Sequence, residues 1–165
     1  MKYRIGPAEM NNAECERIIA GTYHGVLSFA RGGEPYAVPM NHAYEEGRFY
    51  FHCAPGGTKV DCIRHNPAVV YTIMKYYGSA DDFASRQNCH GKWESIVARG
   101  TARYIEDTEE LKEAFVRFMR YYGKTDFKPT ASALSETAAI VMDVTTMTGR
   151  RELESKMTQF YAWAR

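Results

Sequence analysis

The sequence predicts a mainly β, α+β domain: a six-stranded antiparallel barrel with peripheral helices. Three observations point there. Alternating extended segments follow one another through tight glycine-containing turns. Aromatic residues make up 13 % of the chain, with twelve Tyr and eight Phe, which suits β-rich packing. Helical periodicity is confined to a few separate stretches. With 165 residues, one domain is expected over 1–165, with a core across about 10–150 and a polar tail over 150–165.

The first element is a helix over about Asn12–Ala20, where Asn11 and Glu14 form a capping-box pattern. Cys15, Ile18 and Ile19 share one of its faces, and Gly21 is a plausible stop. Three strands follow, TYHGVLSFA (22–30), PYAVPMNHAY (35–44) and RFYFHC (48–53). Arg31-Gly32-Gly33-Glu34 and Glu45-Glu46-Gly47 separate them as in a meander. A short helix over Thr58–His65 interrupts that meander before the fourth strand, AVVYTIMKYY (68–77). Residues 78–91 lack periodicity and read as a loop or insertion. A long fifth strand is expected over Lys92–Tyr104, with a possible bulge at Gly100. A helix over Thr108–Tyr122 carries the apolar stripe Leu111, Ala114, Phe115, Phe118 and Tyr122. Thr108 is its expected cap and Gly123 its end. After a loop containing Pro129 comes the sixth strand, AAIVMDVTTM (138–147), and the tail after it has room for a short helix.

A net charge of +1 and the lack of any Lys/Arg run offer no footprint for nucleic acid. No apolar run approaches the roughly 20 residues that span a bilayer. MKYRIGPAEMNN has no apolar signal core, so a cytoplasmic location is expected and no membrane partner. Cys15, Cys53, Cys62 and Cys89 contain no CxxC pair. Together with His42, His52 and His90 they match no common zinc spacing, so no metal site is expected.

The chemistry concentrates where the third strand meets the short helix, in FYFHCAPGGTKVDCIRHNP (49–67). Helix N-termini carry unpaired N–H groups and partial positive charge, which together bind anions. Gly56 and Gly57 admit a ligand close to the backbone, and Lys59 adds a mobile cation suited to phosphate. The pattern GxxxxGK[ST] is absent, so this is no P-loop. The alternative is a plain glycine turn, a helix capped by Thr58 and a solvated lysine. Pro39 is a second irregularity, marking an edge strand or a bulge. A break there would free backbone groups of Val38, Met40 and Asn41 for a flat heterocycle with polar edges.

These stretches, in the order GxLSFxxxGxPYxVPMN, FYFHCAxxGxKxDxIRxNP and a Trp-containing strand ending VxARGTARxIED, resemble the pyridoxamine 5′-phosphate oxidase-like FMN-binding split β-barrels. The nearer likeness is to the branch related to nitroimidazole-resistance proteins. It covers roughly residues 10–150 and implies a homodimer with FMN, in preference to FAD or heme, at the subunit interface. It places Tyr36, Val38, Pro39, Met40 and Asn41 along the isoalloxazine ring. His52, Cys53, Ala54, Gly57 and Lys59 fall around the phosphate, and Trp93, Glu94 and Ser95 come from the other subunit. The arginine-rich RxxxLK signature and the WRLNP-like C-terminal segment of the strict vitamin B6 oxidases are absent, which argues against pyridoxamine phosphate as substrate.

The resemblance therefore implies an FMN-dependent oxidoreductase, with nitroaromatic or other electron-poor small molecules as substrates. A non-enzymatic flavin- or heme-binding carrier is the alternative, since fold does not fix activity. His52, or else His42, is the candidate to contact substrate or shuttle protons, because imidazole titrates near neutrality.

Overall fold

The structure is a computed structural model that describes residues 8–78 and 92–152. The Cys89-His90 pair, most of the 78–91 insertion and the tail beyond residue 152 lie outside the described residues. The expected short helix of the tail falls there too.

The described chain forms eight strands and four helices. In order these are β1 (Ala8–Met10), α1 (Asn12–Ala20), β2 (His24–Arg31), β3 (Glu34–Asn41), β4 (Ala43–Glu45), β5 (Arg48–Cys53), α2 (Thr58–His65), β6 (Ala68–Tyr76), β7 (Trp93–Tyr104), α3 (Thr108–Tyr121), α4 (Ala131–Glu136) and β8 (Ala138–Glu152). All strand pairs are antiparallel, in the order β3-β2-β6-β7-β8-β5-β4, with β1 paired to β8. Six strands were expected. Of the two extra ones, β1 has three residues, too few for alternation to show in sequence, and β4 is the far end of the expected strand PYAVPMNHAY.

The topology contains one informative contradiction of the sequence. PYAVPMNHAY reads as a single strand, yet it splits at His42. β3 lies at one end of the sheet and β4 at the other, with only His42 between them in the chain. The sheet must therefore curl until its two ends meet, which is what makes it an open, split barrel. β3 approaches β5 across the split without joining it in a ladder.

The interior is one apolar cluster from the inward rows of the strands. Leu27, Phe49, Phe51, Tyr71, Ile73, Ile96, Ile140 and Met142 are fully buried there. Each such side chain contributes about 1.5–3 kcal/mol by leaving water. α1 adds Cys15, Ile18 and Ile19, held by the expected reciprocal cap of Asn11 and Glu14. A second cluster joins α3 to the outer side of β5 and β8, through Phe115 and Phe118 against Tyr50, Ala139 and Val141.

Two helix boundaries differ in detail from expectation. Asp107, not Thr108, caps α3, its carboxylate accepting the Glu110 N–H at 2.8 Å. Asp107 stands one residue before the first helical turn, where the cap geometry requires its acceptor. α4 forms where a loop was expected, capped by Thr130, because its six residues are too few to show a period. The bulge at Gly100 is present as a register shift between Arg99 and Gly100. A side chain at Gly100 would stand 2.0 Å from the Asp143 carbonyl oxygen.

Candidate functional site

The candidate site is built on the edge strand β3, the end of β5 and the start of α2. Along β3, Tyr36, Val38 and Met40 turn inward onto the barrel cluster, while Ala37, Pro39 and Asn41 are exposed. Pro39 stands opposite Val26, and pairing with β2 runs unbroken from His24↔Asn41 to Arg31↔Glu34. No bulge breaks the ladder, contrary to one of the two readings of Pro39. β3 is instead the first strand of the sheet, so its outer backbone edge has no ladder partner among the described residues. Met40 supplies one group fewer than expected, because its carbonyl accepts the buried Tyr71 hydroxyl at 2.9 Å.

β5 ends at Cys53, and Ala54, Pro55, Gly56 and Gly57 form an exposed turn. Gly57 has φ of 97°, a backbone region in which a side chain is strained. It occupies the N-cap position of α2, where no side-chain cap hydrogen bond forms among the described residues. Thr58 is the first helical residue and makes no cap, so the Thr58-capped alternative does not form. The Gly57 carbonyl accepts the Val60 and Asp61 N–H groups at 3.0 and 3.2 Å. A Cβ at Gly56 or Gly57 would meet nothing within 4 Å, so the turn opens onto free space. Lys59 is half-buried beside Cys53. Burial pushes the Cys53 thiol up and the Lys59 charge opposes it, which keeps the sulfur protonated at neutral pH.

Strand alternation separates His52 from Cys53. His52 is exposed on the α3 side, edge-on to Phe118 with ring centroids 4.9 Å apart. Burial against that helix lowers its pKa, which favours neutral imidazole. His42, the other histidine considered, is completely buried and can touch no stacked substrate.

The three candidates on β7 also divide between faces. Glu94 turns inward, only 1 % exposed, where it accepts from Arg17 at 2.8 Å and from the Tyr77 hydroxyl. Trp93 and Ser95 lie on the outer face. That outer face is continuous with β3: the paired residues Pro39, Val26, Thr72, Val97 and Thr148 form one row across five strands. Val26 and Met74 are exposed on it at 40 % and 59 %. Sequence reasoning missed this row, whose signal was the small and apolar outward positions of successive strands.

An open antiparallel barrel with peripheral helices, one of them fronted by a glycine at its N-cap, defines the structural class of the domain. The family model described as pyridoxamine 5′-phosphate oxidase matches residues 11–151, and the chain belongs to that family. Among solved structures it is similar to a protein of Bacteroides thetaiotaomicron proposed to confer 5-nitroimidazole antibiotic resistance. That pair shares 26 % identity over 92 % of this chain and 95 % of the other, with a TM-score of 0.73. An FAD-binding protein of Mesorhizobium loti is 24 % identical, over 88 % and 97 % of the two chains, with a TM-score of 0.67. An FAD- and heme-binding protein of Mycobacterium smegmatis is 12 % identical over 93 % and 78 %, with a TM-score of 0.72. The last two likenesses concern the fold alone. No curated protein matches the chain. Among the described residues, no helix is long and apolar enough to cross a membrane, and no group of His, Cys, Asp and Glu is arranged to hold a metal.

Proposed function

We propose that the protein is an FMN-dependent oxidoreductase of electron-poor small molecules, nitroaromatics among them, working as a homodimer with the flavin between its subunits. The observation that carries this is the uncapped N-terminus of α2 behind Gly57, with Lys59 beside it and open space in front. Its unpaired N–H groups and partial positive charge suit the ribityl phosphate, and Lys59 supplies the countercharge. The exposed edge of β3, with the Asn41 amide at its end, supplies donors and acceptors for the polar rim of a flat ring. The outer row from Pro39 to Thr148 is the face a second copy would cover, which brings Trp93 and Ser95 of that copy into the proposal.

When bound, the flavin supplies the electron transfer. The chain's own residues bind, orient and exclude. Gly57 and Lys59 hold the phosphate end, and β3 fixes the ring. His52, neutral and exposed, is the residue proposed to meet substrate, with Phe118 holding its ring edge-on.

The test is the visible spectrum of protein reconstituted with FMN, followed anaerobically with reduced nicotinamide and a nitroaromatic. Bleaching by the nicotinamide and recovery on adding the nitro compound are the expected results. A bound flavin that is neither reduced nor reoxidised would make the protein a carrier. Failure to bind flavin at all would overturn the site itself.

A further inference from the structure

Apart from Glu94 and its partners, the buried polar groups of the described residues gather at the crossing from β3 to β4. Tyr71 of β6 is completely buried, its ring edge-on to Phe49 and Phe51 at centroid distances of 4.9 Å. Its hydroxyl lies 2.9 Å from the Met40 carbonyl and 2.8 Å from His42 Nδ1. A carbonyl can only accept, so the single tyrosine proton goes to Met40, and the phenol oxygen accepts from Nδ1–H. In this arrangement neutral His42 carries its proton on Nδ1, and its buried Nε2 has no hydrogen-bond partner among the described residues.

The backbone of His42 is held as well. Its N–H donates to the Tyr23 carbonyl at 3.1 Å, and its carbonyl accepts the Tyr122 hydroxyl at 3.0 Å. Gly25, the register partner of Met40, makes room for this arrangement. A Cβ there would stand 2.7 Å from the Tyr71 ring and 2.8 Å from its hydroxyl.

Packing alone does not call for these groups. Phe and Leu would fill the same volume without burying polar atoms, which cost stability unless every partner is met. The bonds converge on the two residues flanking Asn41, at the end of a strand that, among the described residues, has a ladder partner on one side only.

We propose that Tyr71 and His42, admitted by Gly25, are positioning residues that hold the Pro39–Asn41 edge at the height at which it meets the flavin ring. The proposal rests on the flavin reading of the site. Preorganisation of this kind shows in affinity, because an unpinned strand must be ordered again on binding.

The test measures FMN and riboflavin affinity by fluorescence quenching, the absorption band of the bound flavin and the melting temperature. Tyr71→Phe leaves the Met40 carbonyl and His42 Nδ1–H unpaired, and it is expected to weaken both ligands about tenfold or more and shift the band. Ile105→Val, a destabilising change in the separate α3 cluster, lowers the melting temperature and leaves affinity and band as they are. His42→Asn, whose amide can donate from the Nδ1 position, restores most of the affinity that His42→Leu loses, so the pair decides the matter if Tyr71→Phe does not fold. Equal affinities for His42→Asn and His42→Leu, or unchanged affinity and band in folded Tyr71→Phe, would overturn the positioning role and leave the flavin site standing. Wild-type protein that binds neither ligand would overturn both.

Discussion

Replacing His42 by Asn should remove a specific pH dependence of folding. His42 is completely buried, and that burial, with the nearby His24 charge adding to it, lowers its pKa from 6.5 to about 4. The folded protein therefore binds fewer protons than the unfolded chain between those values. Stability is full above pH 6.5, falls as pH drops through the window and levels off below about pH 4. A difference of 2.5 between the two values corresponds to about 3 kcal/mol, roughly 2 kcal/mol of it gone by pH 5. The aromatic neighbours of His42 do not titrate there, since burial pushes Tyr71 far up and Tyr121 to about 12. Carboxylates paired with cations, such as Glu110 with Arg103, weaken the protein below pH 4.5 in both forms and cancel in the comparison. Urea unfolding at pH 7.5, 6, 5 and 4 measures the effect. Wild type should lose about 3 kcal/mol more than His42→Asn across that range. Parallel profiles would refute the reasoning, because they would mean that His42 is as easily protonated inside the barrel as outside it.

Other outcomes follow from the site. Lys59→Ala should weaken FMN by about 1.5–3 kcal/mol, ten- to a hundredfold, and leave riboflavin nearly unchanged, which paired fluorescence titrations check. Asn41→Leu should weaken both flavins while circular dichroism and melting temperature stay close to wild type, since Asn41 is exposed. His52→Ala should lower turnover more than flavin content, and normal turnover in a flavin-loaded variant would assign His52 to the wall of the site. Asp107→Ala should cost about 1 kcal/mol in thermal unfolding by removing the cap on α3.

Much of the fold was legible because its signals are local. The Asn11–Glu14 cap, the glycine turn before α2 and the Gly100 bulge each depend on residues adjacent in sequence. The crossing at His42 was hidden because Tyr36, Val38, Met40 and His42 keep an unbroken period of two, as one strand would. What divides the strand is tertiary: Tyr71 and Tyr122 arrive from distant segments to take its backbone carbonyls. The far end of β8 was missed because Thr148–Glu152 is polar. It is extended by pairing with β7 and β1, not by its own composition. The division of Trp93, Glu94 and Ser95 between two faces was available from strand alternation alone. The ion pair that buries Glu94 was not, since Arg17 lies 77 positions away.

The most direct measurement is a crystal structure of the protein with FMN. The account predicts a two-fold dimer with the phosphate on the N-terminus of α2, within hydrogen-bond distance of Lys59 Nζ, and the ring along the exposed edge of Pro39–Asn41. A flavin phosphate bound away from Gly57–Lys59, or a ring remote from β3, would contradict it.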